Sequence, residues 1–342
     1  MELENFGWSG FFAIQQRAGT PARVASASRD RFILWTQTGE LEAVVSGEFR
    51  HKSLLWPAVG DWVALRPGTP VIESVLERKT LLSRKQPGKS VEEQVLAANI
   101  DVLFIVSGLD RDFNERRIER YLILAEQSGA RPIVLLNKAD LAPTLNLNID
   151  ELLHRLTSRT GVSALPISAA TGHGLPQVSA MMASGETAAL IGSSGVGKST
   201  LVNRLLGNAL QSTAEVREED DRGRHTTTTR SMFVMPGGWL LIDMPGLREV
   251  QLWAPPDTLD AGFQDIEQIA QSCRFRDCTH SGEPGCTIAE SGIDPSRLDN
   301  YRKLQRELDY LDRKVDKRLM SENKARWKVI HKAMRHHPKK QG

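Results

Sequence analysis

At 342 residues, with 40% apolar content and a formal net charge of +2, the chain is long enough for about two or three domains, each with its own core. No run nears the roughly eighteen uninterrupted apolar residues of a membrane span, and Glu2 and Glu4 break the basic-then-apolar order of a secretion signal, so a cytoplasmic protein without membrane contact is expected. All three cysteines lie between Cys273 and Cys286, which excludes a disulfide framework and points to metal binding or catalysis.

Residues 1–21 have no periodicity and read as a loose N-terminal extension. Over 22–88 short alternating apolar runs recur, at 31–36, 40–45, 60–65 and 71–76, parted by Thr38-Gly39, Ser46-Gly47 and Pro67-Gly68. Such short strands and tight turns predict a small β-barrel, and a five-stranded oligonucleotide-binding (OB) barrel fits the length. Arg50, Lys52, Trp56 and Trp62 offer charge and stacking surface, although a Trp inside a strand, like Trp62, belongs more often to a core.

A polar Pro/Gly-bearing junction at 83–90 marks the first domain boundary, and residues 89–255 then alternate strand and helix. Strands are predicted at 100–107, 131–136 and 164–168, with amphipathic helices at 115–127 and 150–157 between them. Continuous Val, Ile and Leu runs alternating with helices predict a parallel sheet covered on both faces, with ligands at the carboxyl ends of its strands.

At the end of the second of these strands stands Asn137-Lys138-Ala139-Asp140. A carboxylate in the plane of a purine accepts from both N1–H and the exocyclic amine of guanine, and adenine has neither donor there. Asp140 is therefore the guanine reader, Asn137 holds the loop and the base edge, and the Lys138 stem lies on the purine face. Ser168-Ala169, ending the third strand, is the matching site for a backbone N–H to meet the guanine O6.

Residues 187–191 are a buried strand, followed by Gly192-Ser193-Ser194-Gly195-Val196-Gly197-Lys198-Ser199-Thr200 and then by helical spacing over 201–206. Glycines let the backbone curl so that several N–H groups converge on phosphates, and the new helix adds its positive end. Lys198 reaches the β- and γ-phosphates, and the Ser199 hydroxyl takes the Mg²⁺ that bridges them. Beyond, the charged stretch 217–224 leads into His225 and Thr226, Thr227, Thr228 and Thr229, any one of which could complete the Mg²⁺ shell and make the segment a switch. A strand at 239–242 ends in Asp243-Met-Pro-Gly246, where Asp243 holds Mg²⁺ through water and the Gly246 N–H faces the γ-phosphate.

In the last part, 256–342, Cys273, Cys278, His280 and Cys286 offer three thiolates and an imidazole within a short loop, a set that fits a closed tetrahedral Zn²⁺. Arg274, Phe275 and Arg276 lie inside that loop, where they could contact RNA. Residues 294–311 and the tail read as helices, with Trp327 as a packing anchor. From 313 to 342 eleven Lys or Arg face only Asp316 and Glu322, so the tail is either a solvated helix face or a phosphate-backbone contact.

The order of these motifs is unusual, because the base-reading elements at 137–140 and 168–169 precede the phosphate loop at 192–199. In this the chain resembles the circularly permuted GTPases, and specifically the family of the bacterial ribosome small-subunit-dependent GTPase A. The resemblance runs from the barrel through Asn137-Lys138-x-Asp140, the phosphate loop, Gly223-Arg-His-Thr-Thr-Thr-Thr229 and Asp243-x-Pro-Gly246 to the cysteine cluster. It implies a multi-domain α/β protein: an OB-type barrel, a permuted GTPase domain with helices on both faces of a parallel sheet, and a zinc-binding helical domain. It also implies GTP hydrolysis with Mg²⁺, one structural Zn²⁺, and coupling to late maturation of the small ribosomal subunit through its rRNA. A monomer binding GTP and GDP is expected. Other readings are an RNA-binding checkpoint protein whose hydrolysis is incidental, and a permuted GTPase acting on a non-ribosomal RNA or protein. Where regulatory GTPases carry a water-orienting Gln, this chain has Leu247, so slow intrinsic hydrolysis is expected and His225 is the candidate to orient water; Lys198, Asp243 and Gly246 complete the catalytic set. Gly195 stands where K⁺-binding relatives have Asn, so no K⁺ dependence is expected.

Overall fold

The computed structural model describes residues 2–15, 19–28, 30–52, 55–86, 92–110, 113–207, 230–244, 252–253, 258–259, 262–276 and 278–335, with side chains as far as residue 315, those of 51 and 52 excepted. Five strands close the barrel: β1 (Thr20–Ser28), β2 (Arg31–Thr36), β3 (Gly39–Val45), β4 (Trp62–Leu65) and β5 (Val71–Val75), in the order β1-β2-β3-β5-β4 with β4 paired back to β1, and with the short helices α1 (Gly10–Ala13) before β1 and α2 (Gly47–Lys52) after β3. Alternation decides what fills it, since Phe32, Leu34 and Thr36 of β2 are buried while the residues between them are not. The strand β1 escapes a reading by alternation because residues 22–25 are buried on both sides. Ala22 and Val24 pack inside the barrel, whereas Ala25 joins the main core outside it.

The outer edge of β1 also carries the barrel into the central sheet, since Ser26 and Ala27 pair with Ser231 and Arg230. That sheet is built from β8 (Val102–Gly108), β9 (Arg131–Asn137), β10 (Ala164–Pro166), β11 (Thr187–Ile191), β12 (Arg230–Val234) and β13 (Leu240–Asp243). Its order is β10-β9-β8-β11-β13-β12, parallel throughout except for β12. Side chains of β8 separate two cores: Val102, Phe104 and Val106 face one layer, Leu103 and Ile105 the other. The first layer includes helices Leu175–Ala180 and Lys198–Leu206; the second includes α3 (Glu115–Ser128) and Ile149–Thr160. Asn114 caps α3 by accepting from the Arg116 N–H at 3.0 Å. The polar junction at 83–90 begins inside a β-hairpin of β6 (Leu81–Lys85) with β7 (Glu93–Ala98), whose first strand packs against α3.

The expectation of a loose N-terminus is overturned. Two short helical turns, Leu3–Phe6 and Gly10–Ala13, bury Leu3, Phe6 and Phe12. Trp8 and Phe12 pack their rings on Trp62, which is fully buried as a core residue. The fully buried Arg23 guanidinium donates to the Phe6 carbonyl, to the Asn99 carbonyl at 3.1 Å and to Thr187 Oγ1 at 2.8 Å. Burial pushes Arg23 down to about 10, against the pull of Asp101 and Asp61. It thus ties the N-terminal segment and the barrel to the first residue of β11. Phe12→Ala should cost about 3 kcal/mol of stability by denaturant titration, the cost of a cavity beside Trp62; a loose extension would give no change.

Past the sheet, Gln264–Ala270 and Thr287–Glu290 precede one long helix, Pro295–Arg335. Tyr301, Leu304, Leu308 and Leu311 bury its inner face at helical spacing. Arg297 is fixed between Glu119 of α3 and Asp265, and Asn300 also donates to Glu119. The helix covers the tail through Arg335; the side chain of Trp327 and residues 336–342 lie outside what is described.

Candidate functional site

The loops at the carboxyl ends of β8, β9, β10, β11 and β13 converge on one edge of the sheet. Asn137, buried at the end of β9, links two of them: its amide donates to the Val196 carbonyl at 2.8 Å and its Oδ1 accepts from the Ala169 N–H at 2.9 Å. The Asn therefore clamps the phosphate loop to the base-reading turn. Lys138 adopts a left-handed conformation (φ 67°), and its ammonium donates to the Gly195 carbonyl at 2.8 Å and to Asp110. Its stem thus spans from the base-reading turn to the phosphate loop. Asp140 sits in the short 3-10 turn that follows and is exposed.

The Ser168-Ala169 turn lies beside Asn137. The Ser168 N–H donates to the His173 carbonyl at 2.9 Å, and the Ala169 N–H is held by Asn137. Both amides are thus engaged within the turn that Asn137 holds. Ala170, the next residue, is exposed.

Two glycines of the phosphate loop are required by close approach. A Cβ on Gly192 would lie 2.2 Å from the Val106 carbonyl oxygen of β8, and one on Gly197 would lie 2.4 Å from the Asn137 amide nitrogen. Gly197 also has φ 94°, so Gly197→Ala meets both a clash and a strained backbone. Nucleotide affinity should fall by about tenfold or more in a GDP titration, as the Asn137 clamp is displaced. Lys198 Nζ caps the Gly192 and Ser193 carbonyls at 2.6 and 2.7 Å, which leaves one of its three donors for a phosphate. Burial lowers its affinity for a proton, and the Asp243 carboxylate at the end of β13 opposes that shift. A bound phosphate would act in the same direction as Asp243. Ser193 is half-buried; Ser194, Ser199 and Thr200 are exposed where a ligand would meet them.

His225, Thr226, Thr227, Thr228 and Thr229, as well as Gly246 and Leu247, lie outside the described residues. Two polar residues escaped the sequence argument. Asp110 follows the carboxyl end of β8, so the strand-end rule could have flagged it. Arg117 gave no signal within an amphipathic helix, yet its guanidinium donates to Ser193 Oγ at 3.0 Å.

The cysteine cluster closes as its spacing predicts. The ligand atoms of Cys273, Cys278, His280 and Cys286 all lie within 4.8 Å of one another. His280 Nδ1 is 3.7 Å from both Cys273 Sγ and Cys286 Sγ, near the roughly 3.6 Å edge of a tetrahedral Zn²⁺ site with thiolate and imidazole ligands. Left-handed backbone at His280 (φ 56°) turns the ring inward, and Arg302 of the long helix donates to its carbonyl. Arg50, by contrast, is paired with Asp30 at 3.1 Å, so its charge is partly met inside the barrel's own surface; Trp56 is 43% exposed.

Known proteins similar to this chain share its length and its fold. The family model described as RsgA GTPase matches residues 75–253. A model described as 50S ribosome-binding GTPase matches 187–325, beginning at the phosphate-loop strand. The small ribosomal subunit biogenesis GTPase RsgA of Opitutus terrae is 44% identical, over 98% of this chain and 97% of that protein. The crystal structure of YjeQ from Thermotoga maritima superposes with a TM-score of 0.62 at 27% identity, covering 84% of this chain and 98% of that one. That of YloQ, titled a circularly permuted GTPase, gives 0.59 at 20% identity over 86% and 96%, and speaks for the fold alone.

Proposed function

This chain belongs to the RsgA GTPase family, and on that premise we propose that it couples GTP hydrolysis to late maturation of the small ribosomal subunit and to its own release. GTP hydrolysis itself follows from the family. The observation that carries the reading is the Asn137 clamp, which joins a guanine-reading turn to a phosphate loop that comes later in the chain. In the permuted order, the chain leaving the Asp243-x-Pro-Gly246 switch runs directly into the zinc-binding part, so a nucleotide-dependent change there has a short path to a partner.

In this reading Asp140 selects guanine, Lys198 and the Gly246 N–H stabilise charge on the γ-phosphate, and His225 orients water once the partner orders residues 225–229. An exposed Asp140 becomes selective when the base covers it and excludes water. A backbone N–H of the Ser168-Ala169 turn, which Asn137 holds beside the phosphate loop, meets the guanine O6. Ser199 and Asp243 would hold Mg²⁺, which neutralises charge between the β- and γ-phosphates. Cys273, Cys278, His280 and Cys286 would hold one structural Zn²⁺, with no position open to substrate. The barrel at 22–88 and the helical part at 256–342 would contact rRNA on either side of the GTPase domain at 89–255, in a cytoplasmic monomer.

Co-sedimentation with purified small subunits tests this. Binding should be tight with a non-hydrolysable GTP analogue and weak with GDP. Equal binding in both states would favour a checkpoint protein whose hydrolysis is incidental, and no binding would favour a non-ribosomal target.

A further inference from the structure

The phosphate loop is held to the body of the domain by side chains on two sides. On one, Lys138 and Asn137 of the base-reading turn grip the Gly195 and Val196 carbonyls. On the other, Arg117 of α3 donates to Ser193 Oγ, at the residue whose carbonyl takes the Lys198 ammonium. The first grip belongs to base recognition. Nothing in the nucleotide chemistry accounts for the second.

The same helix carries the main polar joint to the C-terminal part. Arg120, one turn on from Arg117, makes a two-pronged ion pair with Glu307 of the long helix, at 2.8 and 2.7 Å. Glu119 between them is buried and receives Arg297 and Asn300 from that helix. Three neighbouring residues of α3 thus connect the phosphate loop to the helix that also supports the zinc loop, through Arg302 and the His280 carbonyl. A rigid helix transmits displacement well, since its backbone hydrogen bonds resist bending and its buried face is close-packed.

We propose that Arg117 is a positioning residue of the nucleotide site, and that through α3 it makes the grip on the phosphate loop depend on the Arg120–Glu307 contact with the C-terminal helix. Movement of that helix on a docking partner then alters how firmly Ser193 is held, and with it the loop carbonyls that orient Lys198. By reciprocity, filling the loop with a triphosphate changes how firmly the helix is docked. The proposal rests on the nucleotide site assigned above. It adds to that site a route by which the C-terminal part regulates it.

A double-mutant cycle on the full chain decides the matter, reading GTP affinity and single-turnover rate separately. Arg117→Ala should weaken GTP binding roughly tenfold, the effect of losing one hydrogen bond from a charged donor, and Arg117→Lys should restore part of it. Glu307→Gln, at a half-exposed pair whose loss leaves the fold intact, should weaken GTP binding about threefold in the otherwise unchanged chain and have no effect in the Arg117→Ala background. Melting temperatures of the nucleotide-free variants should match that of the unchanged chain, which a purely structural role for Arg117 would not allow. If the two effects simply multiply, or if Glu307→Gln leaves GTP binding untouched, the coupling is refuted. Lys198→Ala separates the failures: lost binding in that variant with unaltered binding in Arg117→Ala refutes this inference alone, while binding that survives Lys198→Ala refutes the nucleotide site itself.

Discussion

Asp140→Asn is expected to weaken GTP binding roughly a thousandfold, about 4 kcal/mol. In the proposed site the carboxylate would accept from two guanine donors, N1–H and the C2 amine, whereas a carboxamide can accept from only one while turning its own NH₂ against the other. That leaves an unpaired donor facing a donor at the moment the base shields both from water, which is the costly arrangement. Xanthosine triphosphate carries a carbonyl where guanine has its amine, so the Asn variant should bind it better than GTP. Calorimetry with GTP, ATP and xanthosine triphosphate measures all three. A variant that keeps its preference for GTP would mean that Asp140, despite its position after Asn137 and Lys138, does not meet the base.

The second large effect concerns the metal cluster. Cys286→Ser, or treatment with a strong chelator, should unfold the region from Gln264 to the start of the long helix, because binding energy at a structural Zn²⁺ site, about 10 to 16 kcal/mol in small zinc domains, is folding energy. The loop's other ties include surface hydrogen bonds from Thr279 and Ser281 to Glu283 and one from Arg302 to the His280 carbonyl. Cys286 is buried, but Phe275 is 45% exposed, and the intervening turns are short and polar. Hydrogen exchange should therefore rise across residues 272–290 while the strands β8, β9 and β11 keep their protection. Exchange that stays unchanged after metal removal, together with a metal content near zero in the purified protein, would contradict a structural zinc.

Much of this arrangement was legible in the sequence, and the reasons differ from element to element. The parallel strands were readable because a strand buried on both faces must be apolar at every position, as residues 102–106 are. The phosphate loop was readable because left-handed backbone at Gly195 and Gly197, and the contact of Gly192 with β8, admit almost no other residue. The N-terminal segment was not, since its two turns of four residues each are too short for periodicity and are held by Trp62 and Arg23, distant in sequence. Nor was β1, whose small residues lie between two cores. At the base site the motif brings Ser168 and Ala169 beside Asn137, but it could not reveal that their amides have partners within the turn itself. Arg117 is the clearest case of silence: an arginine on an amphipathic helix looks like any solvated charge until the phosphate loop folds over it.

A GTPase that acts as a timer must be slow alone and fast on its target, and Leu247 in the usual Gln position argues for the first half. Single-turnover GTP cleavage with and without purified small ribosomal subunits is the most direct measurement of the second. The account predicts that subunits raise the cleavage rate about 100-fold or more, the scale of bringing one water-orienting group into register. An identical rate with and without subunits, at concentrations where the protein is fully bound to them, would contradict it.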